Sequence, residues 1–336
     1  MIFLVSHVIR DTSYMSRAYP ARTEKQERRP GQAASKCKGT PSLIPLAMPP
    51  YIAFKLIKLA LLALLVWVLL RQRILASNAA ALQQLSHLIG RPDPAGNTTV
   101  SLLLAHPDDE VMFFSPALAS LRELPGVSFD IVCFSNGDAA GLGATRAAEL
   151  QRSVDLLLSG TPHSLRILDY PDGPDEHWDA AAMAGEIMGP DQQLPAALLT
   201  FDAAGVSGHA NHIACHAAAR AFQGAHPLTR VLALDSHGGN VALKYSGLLP
   251  ELARQLARGA AERLGRCGWV SARTPAWLRG AEHPAATGTV RFVSTFPQYT
   301  LAYAAMLNAH ASQVVWFRYA WWVFSRFVYV NDIVVA

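Results

Sequence analysis

The stretch VSLLLAHPDDE, residues 100–110, joins a short apolar run to one histidine and three carboxylates. Residues 100–105 are apolar at nearly every position, which is typical of a parallel strand buried on both faces. The histidine and the acids follow directly, so they lie at the carboxyl end of the strand, where open parallel sheets bind ligands. Because buried charges are costly without a role, this stretch predicts a functional site at the edge of a sheet.

Short apolar runs recur along the chain and predict the rest of that sheet. Helical patterns separate them: residues 145–159 place apolar side chains on one face before Gly160, and residues 208–222 form a second candidate helix. This alternation predicts an α/β fold with a Rossmann-like, doubly wound and mainly parallel sheet. The predicted strands are residues 100–105, 129–134, 165–168, 196–201 and 231–234.

A second motif, GHANH at residues 208–212, follows the apolar run ALLTF. If this turn also lies at the carboxyl end of a strand, His106, Asp109 and His212 meet on one edge of the sheet. Two imidazoles, one carboxylate and an open fourth position are typical of catalytic zinc. The same set can hold Fe²⁺, so the identity of the metal stays open.

Two residues of these motifs remain beside the expected ligands. Asp108 is placed to act as a general base, since a carboxylate next to an activated water can take its proton. His209, as a cation, could stabilise an oxyanion or protonate a leaving amine. The combination suits amide hydrolysis. The alternatives are that HPDDE only starts a helix with acids in its first turn, and that the histidine pair is a coincidence.

Composition and charge exclude several classes of protein. Apolar residues make up 51% of the 336 residues and charged residues only 16%, which excludes a disordered chain. The four cysteines form no CxxC pair, which argues against a cysteine zinc site. The net charge of +4 comes from residues 1–47, with eight basic and three acidic side chains. The rest of the chain is nearly neutral, so no nucleic-acid partner is expected.

The N-terminal part of the chain predicts a membrane anchor. Residues 1–49 are expected to be a disordered basic tail, or to be untranslated if synthesis starts at Met48. Residues 51–70 are apolar over a length that spans a bilayer, which predicts a single transmembrane helix. A cleaved signal peptide and a buried core helix are the alternatives. Residues 71–96 are expected to form a linker.

The C-terminal half of the chain carries two unusual segments within a catalytic domain predicted over 97–331. Residues 251–288 are rich in arginine and are expected to be an insertion, either lying on the membrane or forming an ordinary solvated helix and loop. Residues 316–329 hold eight aromatic side chains, which suit either the headgroup layer or packing against the domain.

At its motifs the sequence resembles the PIG-L/LmbE family of zinc-dependent N-deacetylases. It looks most like the eukaryotic branch that acts on N-acetylglucosaminyl-phosphatidylinositol in GPI-anchor synthesis. The strings that carry the resemblance are LLLAHPDDEVMFFSPAL, CFSNGD, TFDAAGVSGHANHIA and HASQVVWFR. The resemblance covers roughly residues 97–250 and 300–331.

The resemblance implies hydrolysis of the N-acetyl group of GlcNAc-phosphatidylinositol to give glucosaminyl-phosphatidylinositol and acetate. It implies zinc held by His106, Asp109 and His212, with Asp108 as base and His209 as the transition-state imidazole. Arg146 matches a family arginine near the substrate, and an exposed helix charge is its alternative. The implied location is the endoplasmic reticulum membrane, with a single span and the catalytic domain in the cytoplasm. A deacetylase of another GlcNAc conjugate and a non-catalytic membrane scaffold are the rival functions, and partner subunits stay open.

Overall fold

The computed structural model describes residues 49–89, 98–173, 176–189, 192–266 and 288–335. The expected basic tail, apart from Pro49, lies outside these residues, and so does the part of the predicted insertion at 267–287. The first half of the described chain contains the following elements: α1 (Pro50–Leu69), α2 (Arg71–Leu88), β1 (Thr98–Leu104), α3 (Asp109–Phe113), α4 (Ser115–Leu121), β2 (Val127–Cys133), α5 (Gly143–Leu157), β3 (His163–Ile167) and α6 (Ala180–Gly185). The second half contains β4 (Ala197–Phe201), α7 (Gly205–Gly208), α8 (Ala210–Ala225), β5 (Arg230–Leu234), α9 (Val241–Lys244), α10 (Leu249–Arg266), β6 (Thr289–Val293), α11 (Phe296–Asn308), α12 (Trp316–Phe324) and β7 (Val330–Val335).

The strands form one mixed sheet of seven in the order β3-β2-β1-β4-β5-β7-β6. Strands β1 to β5 are mutually parallel, β7 runs antiparallel to β5, and β6 runs antiparallel to β7. The predicted α/β class with a mainly parallel sheet is confirmed, and each of the five predicted strands corresponds to one of these parallel strands. The chain order reverses between β1 and β4, so ligands are expected at the carboxyl ends of those two strands.

The sequence analysis did not predict β6 and β7. Strand β7 reads VNDIVV, in which the polar pair Asn331 and Asp332 interrupts the apolar pattern. Both side chains are buried and satisfied: the Asn331 amide donates to the carbonyl of Phe113 (2.8 Å), and Asp332 accepts from Arg326 (2.9 Å). The Asn331 partner lies 218 residues earlier in the chain, so the local pattern does not reveal it.

The apolar helix α1 is long enough to cross a bilayer. Its 20 residues have a mean hydropathy of 2.4 over the most apolar window, and Trp67 is its one buried residue. Length and composition alone also fit a core helix or a signal sequence, but the almost complete exposure of α1 does not fit a core helix. The described part of the chain contains no second helix of this kind.

The segment predicted as a linker at 71–96 begins with a helix that is attached to the sheet. On α2, the Asn78 amide donates to the carbonyl of Val293 (2.8 Å) and its oxygen accepts from the Val293 N–H (3.0 Å). This pair of bonds satisfies backbone groups on the open edge of β6, as a neighbouring strand would. The first part of the expected linker therefore belongs to the domain.

The described part of each of the two unusual segments contains an amphipathic helix. Within the predicted insertion, α10 exposes Leu256 while Leu252 is buried. In the aromatic segment, α12 buries Trp321 and Trp322 and exposes Trp316. Packing against the domain is therefore confirmed for the buried face of this helix, and contact of the exposed face with the headgroup layer stays a prediction.

Candidate functional site

The three expected metal ligands come together at the carboxyl edge of the sheet. His106 lies in the turn after β1, Asp109 is the first residue of α3, and His212 lies in the first turn of α8. One ligand atom of each lies within 4.8 Å of the others, and all three residues are buried. The prediction that they converge is confirmed by the geometry.

Backbone amides and histidines together hold the Asp109 carboxylate. The N–H groups of Ala105 and His106 donate to its Oδ2 at 3.1 and 2.8 Å. Burial disfavours the charged form, but His212 and His106 outweigh it and hold the pKa of this carboxyl well below its ordinary value. Asp109 is therefore anionic and can serve as a hard oxygen ligand.

The His212 ring is fixed with one nitrogen aimed at Asp109. Its Nδ1 lies 3.3 Å from the carbonyl of Gly205, which favours the tautomer with the proton on Nδ1. Its Nε2 lies 3.3 Å from Asp109 Oδ1 and is buried without a hydrogen-bond partner among the described residues. The ring stacks on Phe201, with 3.9 Å between the ring centroids. An orphaned lone pair in this position is what a metal ion would satisfy.

The turn that carries the Gly205 carbonyl is conformationally restricted. Gly205 has φ of +56°, and a Cβ there would lie 2.8 Å from Ile213 Cγ1. The next residue, Val206, has φ of 63°, which is rare for a β-branched side chain. The Asp202 carboxylate stabilises this turn by accepting from the Gly205 N–H (3.0 Å).

The His106 ring also leaves one nitrogen for a metal. Its Nε2 lies 3.1 Å from Asp172 Oδ1 and 3.1 Å from Asn211 Oδ1, so two acceptors place the proton on Nε2. Its Nδ1 lies 3.8 Å from Asp109 Oδ2. Burial opposes protonation, but Asp172 and Asp109 raise the pKa of this ring. The donor set of Nδ1, a carboxylate oxygen and the Nε2 of His212 fits a divalent metal such as Zn²⁺.

Asp108 lies beside this triad in an unusual backbone conformation. Its φ is 111°, and its N–H donates to Glu110 Oε2 at 3.2 Å. Arg318 donates to its Oδ2 at 2.9 Å, and Arg146 Nη2 lies 3.8 Å from its Oδ1. Burial raises the pKa of Asp108 above its ordinary value, and the two guanidinium groups oppose that shift. The carboxyl therefore combines a raised proton affinity with two positively charged neighbours.

His209 packs against both candidate ligands, with its ring centroid 4.9 Å from those of His106 and His212. It caps α8, and its Nδ1 accepts from the Asn211 N–H at 3.3 Å. Burial and the two neighbouring imidazoles lower its pKa to about 4. We expected a cation here from the sequence, whereas the lowered pKa favours a neutral ring, and the bond from the Asn211 N–H to Nδ1 places its proton on Nε2. Such a ring donates a hydrogen bond without carrying charge.

Arg146 lies beside Asp108 and the triad, in the region that we call the cleft, and the alternative of an exposed helix charge is wrong. Its side chain is 12% exposed. Its guanidinium donates to the carbonyls of Pro107 (2.7 Å) and Gly137 (3.0 Å) and lies 3.4 Å from Asp172 Oδ2. The group therefore ties the turn after β1 to the one after β2.

The sequence analysis missed three polar residues of the cleft: Asp172, Asn211 and Arg318. Asp172 follows β3 by a few residues, and its position after a third parallel strand was an available signal. Asn211 stands between the two histidines of the second motif. Arg318 lies in the string HASQVVWFR, but no spacing rule connects it with residues 210 positions earlier.

A fully buried polar cluster supports the cleft from behind. Glu110 Oε1 accepts from Ser153 Oγ (2.5 Å) and lies 2.6 Å from His310 Nε2. Burial opposes protonation of His310, but Glu110 raises its pKa. The other Glu110 oxygen accepts from the Asp108 N–H. Glu110 therefore links the backbone of Asp108 to Ser153 on α5 and to His310 after α11.

Comparison with known proteins gives consistent matches to this arrangement. Residues 101–223 match the profile of the family described as PIG-L, GlcNAc-PI de-N-acetylase. The N-acetylglucosaminyl-phosphatidylinositol de-N-acetylase of Saccharomyces cerevisiae is 37% identical over 83% of this chain and 93% of its own length. The protein of that name from Bos taurus is 34% identical over 71% of this chain and 84% of its own.

Among solved structures, the zinc-inhibited form of teicoplanin deacetylase Orf2 matches with 15% identity and a TM-score of 0.41. The match covers 71% of this chain and 99% of that one. At this level of similarity nothing about the reaction follows from it.

Proposed function

We propose a function from one premise: the chain belongs to the GlcNAc-PI de-N-acetylase family, PIG-L. It removes the acetyl group of N-acetylglucosaminyl-phosphatidylinositol, giving glucosaminyl-phosphatidylinositol and acetate, a step of GPI-anchor synthesis. Its relatives in yeast and cattle bear the name of this activity. The observation that carries the proposal is the buried triad of His106, Asp109 and His212, with the Asp108 carboxyl beside it.

We assign the metal site to this triad and Zn²⁺ as its ion, with Fe²⁺ as the alternative. Such an ion lowers the pKa of water and polarises a carbonyl oxygen, which is the chemistry that amide hydrolysis needs. The chain's own contribution is to hold Asp109 as an anion and to aim one nitrogen of each histidine at it. The carboxylate of Asp172 and the carbonyl of Gly205 fix those two rings.

Asp108 is the proposed general base. It takes the proton of the attacking water, and its raised pKa favours returning that proton to the leaving amine. Arg318 keeps the carboxylate from rotating away, because it binds the outer oxygen at 2.9 Å. His209 is the proposed donor to the oxygen that becomes negative, through Nε2–H of its neutral ring. Because the ring is already fixed by the cap of α8, little reorganisation is needed.

The substrate carries a negative inositol phosphate, and the cleft offers two guanidinium groups. Arg146 and Arg318 lie on either side of Asp108. We propose that their positive charge favours binding of the substrate's phosphodiester near the mouth of the cleft. Arg146 also contacts backbone carbonyls, so its substitution would affect both the binding of substrate and the turn after β1.

We propose the endoplasmic reticulum membrane as the location, with α1 as a single span. Arg71, Arg73 and Arg91 follow this helix, whereas Lys55 and Lys58 lie near its start. Positive residues favour the cytoplasmic side, so with synthesis starting at Met48, which leaves out the basic tail, the domain that follows α1 is proposed to face the cytoplasm. Protease protection of the domain in sealed microsomes would contradict this orientation.

The test of the function is acetate release from GlcNAc-phosphatidylinositol by the purified full chain in detergent. We expect turnover that a chelator abolishes and that Zn²⁺ restores. The lipid-free headgroup is the control for substrate class, and equal turnover of both would favour a deacetylase of a soluble conjugate. Absence of acetate release from a folded, metal-loaded protein would refute the assignment.

A further inference from the structure

We propose that α12 and the start of α10 form a second membrane-contacting surface, which lies on the headgroup–acyl boundary beside α1 and brings the cleft to the lipid. We call it the interfacial surface, and it consists of Trp316, Tyr319, Val323 and Phe324 of α12 and Leu249 and Leu256 of α10. The inference rests on the proposed membrane location of α1 and adds a contact and an orientation that the span alone does not provide.

Helix α12 exposes an apolar face in addition to the one it buries. Trp316, Tyr319 and Val323 recur at i, i+3 and i+7, and they are 67%, 51% and 55% exposed. The opposite face carries Arg318 and the two buried tryptophans, and Arg318 binds Asp108 in the cleft. An apolar aromatic face that points to solvent, on a helix whose buried face carries a charge, indicates a binding surface.

The C-terminal turn of α12 lies close to the end of the proposed span. The Trp67 ring of α1 packs on Tyr299 and Tyr329, with centroids 5.2 and 5.5 Å away. The hydroxyl of Tyr329 donates to the carbonyl of Trp322 at 3.1 Å, and the Tyr299 ring lies 5.9 Å from the Trp322 ring. A single layer of aromatic side chains therefore separates α1 from α12.

The start of α10 adjoins the same turn. The Gly247 N–H donates to the carbonyl of Phe324 at 2.9 Å, and a Cβ on Gly247 would lie 3.0 Å from the carbonyl of Val323. Leu249, two residues after Gly247, is 55% exposed, and Leu256 lies two turns further on the same face. Farther along, Glu262 of α10 accepts from Arg73 at 2.7 Å, just after the span. Both helices are thus attached to the region where α1 leaves the bilayer.

All of these groups lie at one edge of the sheet. Strand β6 is parallel to β5, because both run antiparallel to β7. Trp67 donates to the carbonyl of Ser294, directly after β6, at 2.9 Å, so α1 ends at the carboxyl edge of the sheet. The metal triad and Asp108 lie at this same edge. The cleft, the end of the span and the interfacial surface therefore face one side of the domain.

Continuity with α1 identifies a bilayer as the partner. A helix of 20 residues is about 30 Å long, which matches the thickness of the hydrocarbon layer. The domain follows the C-terminal end of this helix and is therefore held at the level of the lipid headgroups. Aromatic side chains next to apolar ones favour that depth. Helix α10 contains four arginines and two glutamates, and Arg71 and Arg73 follow the span, so the surroundings are net positive and suit anionic lipid. A substrate that keeps its acyl chains in the membrane can then reach Asp108 with its headgroup alone.

The first test measures depth and needs no activity. The full chain is reconstituted in phosphatidylcholine vesicles containing acyl-brominated lipid, and tryptophan quenching is compared between the wild type and Trp316→Phe. We expect brominated lipid to quench a component of the wild-type tryptophan fluorescence that comes from Trp316 and is missing in the variant. The control is Leu228→Trp, which places a tryptophan on a residue 82% exposed before β5, at the opposite edge of the sheet. That tryptophan should respond to aqueous iodide and not to brominated lipid. Equal quenching of wild type and Trp316→Phe would overturn the proposal.

The second test uses the proposed activity. In the double variant Trp316→Ser with Tyr319→Ser, we expect KM for GlcNAc-phosphatidylinositol in vesicles to rise about tenfold, because the apolar contact with the lipid is removed. Turnover of a short-chain substrate dispersed as monomers should stay within about twofold, and Leu228→Ser should change neither value. An equal loss on both substrates would show that α12 only shapes the cleft, and it would overturn the proposal. If the wild type releases no acetate at all, the proposed function fails, while the quenching result still decides the interfacial surface.

Discussion

Asp108→Asn is the sharpest test of the proposed chemistry. The substitution keeps the size of the side chain, and asparagine tolerates the φ of 111° at this position as well as aspartate does. It removes the carboxylate that is proposed as the general base and leaves Asp172, which binds His106, unchanged. The amide oxygen can still accept from Arg318, so the change isolates the acid–base function from the shape of the cleft.

The expected magnitude follows from the loss of a general base. Such a group contributes a factor of about 10² to 10⁴ in rate, or roughly 2.7 to 5.4 kcal/mol at 1.36 kcal/mol per tenfold. We therefore expect kcat to fall by at least about 100-fold, with KM little changed. The variant loses the ion pair with Arg318, but it no longer has to bury a charged carboxylate. Because these two effects partly cancel, the free energy of unfolding should change by no more than about 2 kcal/mol.

The assay is acetate release at saturating substrate, together with metal content and the thermal midpoint of the same preparations. Metal content should stay at the wild-type stoichiometry, because His106, Asp109 and His212 are intact. Asp155→Asn is the matched control, since this carboxylate is 55% exposed on α5 and should leave kcat unchanged. A kcat for Asp108→Asn within about threefold of the wild type would refute the assignment of the base.

Three further predictions test the metal site, the buried cluster and the pH dependence of stability. His212→Ala should lose bound metal and activity together, since it removes one of three ligands; a variant with full metal content would contradict the triad. Glu110→Gln should lower the free energy of unfolding by about 2 to 4 kcal/mol, because the buried bonds to Ser153 and His310 lose their charge; an unchanged thermal midpoint would refute this. Burial opposes ionisation of Asp332, but Arg291 and Arg326 hold the pKa of this carboxyl below its ordinary value. The stabilising effect of Asp332 is therefore complete above the unfolded pKa of about 4 and is lost as the pH falls through the folded pKa. Asp332→Asn should melt at a lower temperature than the wild type at neutral pH and show a smaller drop in melting temperature on acidification. Parallel curves of melting temperature against pH would contradict this role of Asp332.

Much of the candidate site was predictable because all parallel strands of a sheet end at the same edge. Once two motifs each follow an apolar strand, their side chains must meet, and this sufficed to bring His106, Asp109 and His212 together. The spacing of three between His106 and Asp109 was compatible with their meeting at one point, although His106 precedes the helix that Asp109 begins. The roles of these residues stay predictions, and nothing in the two motifs indicated that burial and the neighbouring imidazoles would lower the pKa of His209.

The sequence by itself determined what local periodicity and chemistry can encode: the five parallel strands, the apolar helix α1 and the two motifs of the triad. The tertiary structure decided the rest of the cleft. Arg318 reaches Asp108 across 210 residues, and His310 reaches Glu110 across 200. The tertiary structure also determined that β6 and β7 extend the sheet and that one face of α12 is buried while the other is exposed. These contacts between distant segments depend on where α11, α12 and β7 pack against the sheet. Packing of the whole chain, and no spacing within the sequence, determines those positions.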